Sequence, residues 1–176
     1  VVDAALHIFD EGSVVTIDRV EVKNPDLSIV GRSQITSAQI TSTQATSTQD
    51  NSHLSLYAEI KGPSQGKIVD YLPRYLIGPN THSYLMDAIK SGEGLLTRVV
   101  IDGPTNAVPF DTSKGTFWVE AQLANGEFEF DSDWPSIKDM NATLTVNKLM
   151  MDIAAHSGTI ATLPIKNDVN ASLDLG

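Results

Sequence analysis

Apolar and polar residues alternate with a period of two in several short runs of this chain. In the clearest run, Phe117, Val119, Ala121 and Leu123 occupy one side, and the residues between them include Glu120. Successive side chains of a β-strand point to opposite faces, so this period predicts strands that are apolar on one face. Such strands are typical of antiparallel sheets with one packed face and one solvated face.

Further runs with the same period predict that strands dominate the chain. The fold class is therefore mainly β, with antiparallel strands that present one apolar and one polar face. The positions on the apolar side of these runs are Ala4, Leu6 and Ile8; Val20 and Val22; Leu54, Leu56, Ala58 and Ile60; Leu95, Thr97, Val99 and Ile101; Ala142, Leu144 and Val146; and Leu149, Met151, Ile153 and Ala155.

The dipeptide Asn125-Gly126 follows Leu123 almost directly and favours a two-residue hairpin turn. The next short run contains Phe128 and Phe130. A turn at the dipeptide pairs Leu123 with Phe128, which places the apolar sides of both strands on one face. We therefore predict a β-hairpin with its turn at these two residues.

One helical segment interrupts the alternation. Pro79 and Thr81 are suited to the start of a helix. Leu85 and Ile89 recur at helical spacing, and Gly92 is suited to close the helix. The fold is therefore α+β at its centre.

A shorter helical turn is predicted over residues 67–72, so the helical insertion lies near residues 67–91. The chain then divides into a sheet segment at 1–66, a helical insertion at 67–92 and a second sheet segment at 93–176. We expect these to form one continuous fragment of a larger protein.

Residues 31–52 consist almost entirely of Ser, Thr, Gln and small residues. Such a composition fits a flexible linker. However, Ile35, Ile40 and Ala45 recur every five residues, and Thr-rich segments also fit strands. A similar spacing at 157–169 suggests a weak internal repeat of sheet units stacked along an axis. The role of the run stays open between these alternatives.

Charge and cysteine content exclude several classes of function. The net charge is -10, from 22 acidic and 12 basic residues, and no cluster of Lys and Arg interrupts the acidity. A nucleic acid would be repelled by such a chain. The absence of cysteine excludes a thiol nucleophile, a disulfide framework and a thiolate metal site. No stretch approaches the roughly 18 apolar residues of a membrane span.

Motifs that would indicate catalysis are absent from the sequence. The four histidines are far apart, and no nucleophile elbow, P-loop or dinucleotide-binding motif occurs. Asp131 and Asp133 fit a solvated turn, since a calcium loop needs more oxygen ligands. A hydrolytic carboxylate pair, for example Glu127 and Glu129, stays open because its separation is a three-dimensional quantity. We expect no enzyme, no cofactor and no metal.

A more specific series of residues lies between positions 70 and 135. It comprises Tyr71-Leu72-Pro73, Tyr84-Leu85, Ala88-Ile89, Gly92, Gly103, Val108-Pro109-Phe110, Gly115-x-Phe117 and Trp134-Pro135. The order of these motifs resembles the AsmA-like superfamily of Gram-negative envelope proteins, in particular its YhdP branch. Tyr84 departs from the pattern, where Trp is expected, and the flanks fit only as generic sheet repeats.

The resemblance implies a curved, repetitive antiparallel sheet that forms an open groove or half-barrel. It further implies a periplasmic segment of an inner-membrane-anchored protein that transports phospholipid between the inner and outer membranes along an apolar groove. Phospholipid, both membranes and possible other envelope proteins are the implied partners. The residues expected to line the groove are Phe117, Val119, Ala121, Leu123, Phe128, Phe130, Leu144, Val146, Met151 and Ile153.

Two other interpretations of the one-sided strands stay open. Their apolar faces also fit the core of a closed β-sandwich, including a carbohydrate-binding one. The chain also fits a non-catalytic scaffold that docks other envelope proteins. Trp118 and Trp134 fit either anchors or plain core aromatics.

Overall fold

The structure, a computed structural model, describes residues 2–9, 12–23, 28–38, 52–62, 79–112, 114–166 and 168–174. These residues form a ten-stranded antiparallel sheet and a helix. The strands are β1 (Val2–Phe9), β2 (Gly12–Lys23), β3 (Ser28–Ala38), β4 (His53–Lys61), β5 (Ile89–Pro104), β6 (Thr116–Phe128), β7 (Ile137–Asn147), β8 (Met150–Ile160), β9 (Leu163–Pro164) and β10 (Val169–Asp174). Helix α1 (Pro79–Ala88) leads directly into β5, and a 3-10 turn (Thr105–Ala107) follows β5.

The sheet is a meander in which sequence neighbours pair with each other. Its order is β1-β2-β3-β4-β5-β6-β7-β8-β10, and the short strand β9 also pairs with β8. Strands β1 and β10 lie at opposite ends of this order, so the sheet does not close into a barrel. The prediction of a mainly β, open antiparallel sheet is confirmed, and the described strands form one sheet rather than the two of a sandwich.

Directly paired residues of neighbouring strands lie on the same face of a sheet. The register therefore defines one face, here called the apolar face, to which β1 to β8 and β10 all contribute. Its main residues are Ala4, Leu6 and Ile8; Val15, Ile17, Val20 and Val22; Ile29, Gly31, Ser33 and Ile35; Leu54, Leu56, Ala58 and Ile60; Thr97, Val99 and Ile101; Phe117, Val119, Ala121, Leu123 and Phe128; Ile137, Met140, Ala142, Leu144 and Val146; Met151, Ile153 and Ala155; and Val169, Ala171 and Leu173. The opposite side is called the polar face.

The predicted hairpin at Asn125-Gly126 is wrong. Both residues lie inside β6, which pairs with β5 on one side and with β7 on the other. Asn125 has a φ of 51°, and the register with β7 shifts between Leu123 and Phe128. The dipeptide therefore forms a bulge, since Asn tolerates the left-handed conformation. Leu123 and Phe128 still lie on the same face of the sheet, as the hairpin model predicted.

The predicted helix is present, but its end differs. Helix α1 ends at Ala88, and Ile89 already pairs with Phe128 of β6. The backbone carbonyl of Ala88 accepts a hydrogen bond of 2.9 Å from the amide of Glu129, which joins the helix end to the end of β6. Gly92 lies in β5 and does not close the helix, because strand pairing begins before the helical pattern ends. The turn predicted at 67–72 lies outside the described residues.

The alternation predicts Leu95 on the apolar side of its run, and this prediction is also wrong. The register between β5 and β6 shifts between Gly94 and Leu96, so Leu95 lies on a bulge. Its side chain is 53% exposed. Thr97 and Ile101, beyond the bulge, keep the predicted facing and are buried. The extra residue of a bulge reverses which positions face inward.

Two elements cover opposite ends of the strands on the apolar face. At one end, Leu85 and Ala88 of α1 are buried, and the ring of Tyr84 meets that of Phe128 edge-on at 6.5 Å. At the other end lies the segment after β5, whose Phe110 is fully buried. The buried part of the apolar core therefore lies on β5 to β8, between these two covers.

The absence of a side chain at Gly103 allows the ring of Phe110 to pack against the backbone of β5. The φ of Gly103 is 154°, and an added Cβ would lie 2.6 Å from Cε1 of Phe110. Gly103→Ala is therefore expected to lower the free energy of unfolding by about 3 kcal/mol, through backbone strain and overpacking. Urea denaturation provides the measurement.

A double-mutant cycle with Phe110→Ala separates these two causes. If the ring contact contributes, Gly103→Ala costs less in the Phe110→Ala background than in the wild type. If the losses of unfolding free energy in the two single variants are additive, the ring contact contributes nothing and backbone strain is the only cause. Asn170→Ala, an exposed substitution in β10, should change stability by less than about 0.5 kcal/mol.

Candidate functional site

The structure brings the predicted groove residues together on the apolar face. Nine of the ten lie in β6, β7 and β8 and share that face through direct pairing. The tenth, Phe130, lies just after β6, where its ring contacts that of Phe128 at 4.6 Å. Phe117, Phe128, Val146, Met151 and Ile153 are almost fully buried, and Val119, Ala121, Leu123, Phe130 and Leu144 are half-buried.

Exposure of the apolar face changes systematically across the sheet. In the central strands β5 to β8 most of its side chains are buried or half-buried. Toward the first edge, Leu6 and Ile8 of β1 are 62% and 76% exposed, and Val22 and Ile35 are also exposed. Toward the other edge, Val169 and Leu173 of β10 are exposed as well. The apolar surface thus extends from a covered centre to open strands, and exposed apolar patches are typical of surfaces that contact a protein, a membrane or a ligand.

Strands β2 and β3 add residues to this face beyond those that the alternating pattern predicts. In β3, Ile29, Gly31, Ser33 and Ile35 face the same side as Leu54 to Ile60 of β4. Their period of two is visible in the sequence, but the Ser/Thr/Gln-rich composition of the run concealed it. The part of that run from 39 to 51, with Ile40 and Ala45, lies outside the described residues.

The polar face carries a row of charged and hydrogen-bonded side chains. Arg98 of β5 lies 3.5 Å from Glu59 of β4 and 3.0 Å from Glu120 of β6. The hydroxyl of Tyr57 donates a hydrogen bond of 2.8 Å to Glu59, which lowers the pKa of Glu59 and raises that of Tyr57. Two faces of opposite character are therefore built into the same strands.

Glu127 and Glu129, left open above as a hydrolytic pair, each have a cationic neighbour. Glu127 accepts a hydrogen bond of 2.8 Å from Ser136 and lies 3.8 Å from Nζ of Lys138. Glu129 lies 3.5 Å from Nζ of Lys90. These contacts are typical of surface ion pairs that join strands and loops.

A serine, an aspartate and a histidine meet on the polar face between β4 and β5. The hydroxyl of Ser55 donates a short hydrogen bond to Asp102, and Nε2 of His53 lies 3.4 Å from the same carboxylate. In a Ser-His-Asp triad the imidazole lies between the other two groups and accepts the serine proton. Here the carboxylate lies between them, so this cluster joins two strands and does not position an imidazole against the serine.

A cavity of about 350 Å³ crosses β2 to β5 on the polar face. Arg32 lies on its wall, with its guanidinium 5.6 Å from the centre of the Tyr57 ring. None of the ten predicted groove residues contributes to this cavity. Within the described ranges, no group of three or more His, Asp or Glu side chains could hold a metal ion.

The acidic turn after β6 has the structure predicted for it. Oδ1 of Asp131 accepts a hydrogen bond of 2.9 Å from the amide of Asp133, and the Asp131 carbonyl accepts one of 3.1 Å from the amide of Trp134. Trp134 is 72% exposed, so it is not a core aromatic. Across the part of the chain that is described, no helix is long and apolar enough to cross a bilayer.

Residues 2–174 match the family described as YhdP protein. The chain belongs to the YhdP family. The resemblance drawn from the motifs between positions 70 and 135 is thereby confirmed. A relative with a described activity is the intermembrane phospholipid transporter YhdP of Escherichia coli (strain K12), which is 30% identical over 95 residues.

That alignment covers 54% of this chain and 8% of the E. coli protein. The YhdP-family chain therefore spans only a small part of the length of this relative. No solved structure matches the chain.

The cluster of Ser55, His53 and Asp102 predicts a pH dependence. The hydrogen bond from Ser55 and, secondly, His53 hold the pKa of Asp102 below its usual value. Its contribution to stability is therefore complete above the unfolded-state pKa of about 3.9 and is lost as the pH falls through the lower folded-state pKa. Ser55→Ala should raise the Asp102 pKa, measured by NMR titration of the carboxyl carbon.

Ser172→Ala is the control for this titration. Ser172 also donates a hydrogen bond to an aspartate, Asp152, at the far edge of the sheet. The Asp102 titration should be unchanged in this variant. An unchanged Asp102 pKa in Ser55→Ala would show that the serine is not the main cause of the shift.

Proposed function

We propose that this chain is a segment of a lipid-conducting protein, and that its apolar face holds the acyl chains of phospholipid. The proposed location is the periplasm, in a protein anchored in the inner membrane that moves phospholipid between the two membranes. Membership of the YhdP family and the described activity of the E. coli relative support this proposal. The proposed role requires no catalytic residue and no cofactor.

The observation that carries the proposal is the continuity of the apolar face across an open sheet. Direct pairing joins the apolar residues of nine strands, β1 to β8 and β10. In a sealed core these side chains would be excluded from solvent throughout. Here Leu6, Ile8, Val22 and Ile35 remain exposed on this face. An acyl chain has the right chemistry to cover such residues, since burying apolar surface is favourable and non-directional.

The opposite face supports the same role. Its ion pairs and hydrogen bonds involve partly exposed side chains, as between Arg98 and Glu120. This face is therefore suited to contact water while the other contacts lipid. Phospholipid headgroups would remain in water at the open side of the sheet, where no basic pocket is required to hold them.

Neighbouring residues of β3 provide a sharp test by photo-crosslinking. Ile35 is exposed on the apolar face, and the adjacent Gln34 is exposed on the polar face. A photoreactive amino acid at Ile35 or at Val119 should capture phospholipid in cells, detected by mass spectrometry of the purified full-length protein. The same amino acid at Gln34 should not. Equal capture at Ile35 and Gln34, or none at the apolar positions, would refute the proposal.

A charge on the same pair of positions provides an independent test. Ile35→Glu places a carboxylate among acyl chains and is expected to reduce co-purifying phospholipid at least about tenfold, because an unpaired charge is costly in an apolar environment. Gln34→Glu adds the same charge to the polar face and should leave the lipid content unchanged. Equal lipid content in the two variants would instead favour a scaffold that docks proteins. Circular dichroism checks that both variants are folded.

A further inference from the structure

One hydroxyl group on the apolar face has no hydrogen-bond partner. Thr97 of β5 is 8% exposed, and its Oγ1 is buried without a partner among the described residues. Buried polar groups are almost always paired, because leaving one unpaired costs the free energy of its desolvation. An unpaired hydroxyl in a folded protein therefore needs an explanation, and one explanation is a ligand that supplies the acceptor.

The position of Thr97 places this hydroxyl where the proposed lipid would lie. It pairs directly with Ile60 of β4 and with Ala121 of β6, so it belongs to the apolar face. Both of these partners are half-buried, as are Ala58 and Val99 beside them. Two of these half-buried neighbours, Ala58 and Ala121, have small side chains. Thr97 thus lies next to the part of the central strands that remains partly open.

The chemistry of a phospholipid restricts which of its atoms could accept this hydrogen bond. The acyl tails carry no acceptor, and the phosphate is expected to stay in water. The ester carbonyls, where the tails join the glycerol, are neutral acceptors next to apolar chain. Rotation of the Thr97 side chain about χ1 moves Oγ1 from one staggered position to another, so the hydroxyl can turn toward a carbonyl without movement of the strand.

We propose that Thr97 donates a hydrogen bond to an ester carbonyl of the bound phospholipid. The segment then selects lipids with ester-linked chains over ether-linked lipids of the same chain length and headgroup, because an ether-linked lipid lacks the carbonyl. This inference rests on the proposed function, since it requires lipid on the apolar face. It assigns to Thr97 a role in specificity that a packing residue would not have.

The test compares a diester and a diether phosphatidylethanolamine with identical chain lengths. Each competes with a fluorescent phospholipid for the delipidated full-length protein. The wild type should bind the diester about three- to tenfold more tightly, as expected for one net hydrogen bond. Thr97→Val, which has the same shape, should bind both lipids equally, and Thr97→Ser should retain the preference. Thr145→Val, on the polar face of β7, is the matched control and should behave as the wild type.

The outcomes distinguish this inference from the proposed function. Binding of both lipids with no preference in the wild type, or with the same preference in Thr97→Val, would overturn the role of Thr97 and leave lipid binding intact. Failure of both lipids to bind any variant would overturn the proposed function itself. The stability of delipidated Thr97→Val should equal or exceed that of the wild type, since the change removes an unpaired hydroxyl. A loss of stability would instead indicate that the hydroxyl is already paired within the protein.

Discussion

In-register pairing of antiparallel strands is the constraint on which the other features of this structure depend. A sheet keeps one face apolar only if each strand turns its apolar residues to the same side as its neighbours do. A shift of one residue in the register of any strand would move all of its apolar side chains to the polar face. Here the apolar residues of nine strands point to the same side of the sheet, and bulges correct the register where it would otherwise be lost.

Each of these bulges adds one residue to its strand. After the bulge, the apolar face is therefore occupied by even-numbered residues where it was occupied by odd-numbered ones before. In β2 the apolar side changes from Val15 and Ile17 to Val20 and Val22 across such an irregularity. In β6 the change occurs between Leu123 and Phe128. Because neighbouring strands carry irregularities as well, the sheet bends without losing its facing. A curved surface with one consistent apolar side is the result.

The same considerations explain what the sequence could and could not predict. Period two identified the strands and most of the apolar face, because side-chain facing is a local property of extended backbone. It failed at Leu95, because a bulge shifts the register there. It also failed at Asn125-Gly126, because the same residue types favour both a bulge and a hairpin turn. Only the pairing of β6 with strands on both sides decides between them. That pairing is a long-range property which no window of sequence contains.

The candidate site shows a similar limit. The sequence placed its ten residues on one side of their strands, but their different degrees of burial follow from the covers at the strand ends. Phe117 is buried near the Phe110 end and Phe128 near the helix, whereas Val119 and Ala121 between them are half-buried. The unpaired hydroxyl of Thr97 could not be predicted from the sequence either, because threonine is common in strands and its presence does not indicate a missing hydrogen bond.

The energetics of the open strands connect the fold to its proposed role. Burial of a Leu or Ile side chain contributes about 1.5–3 kcal/mol, and residues such as Leu6 and Ile8 leave this contribution largely unrealised. A second sheet stacked on them would realise it, but would produce a closed sandwich and remove the accessible surface. In the proposed role, a lipid chain would cover the same area and remain free to leave, because contacts between hydrocarbon groups have no preferred direction. An apolar face that is left open therefore suits a mobile ligand better than a permanent partner.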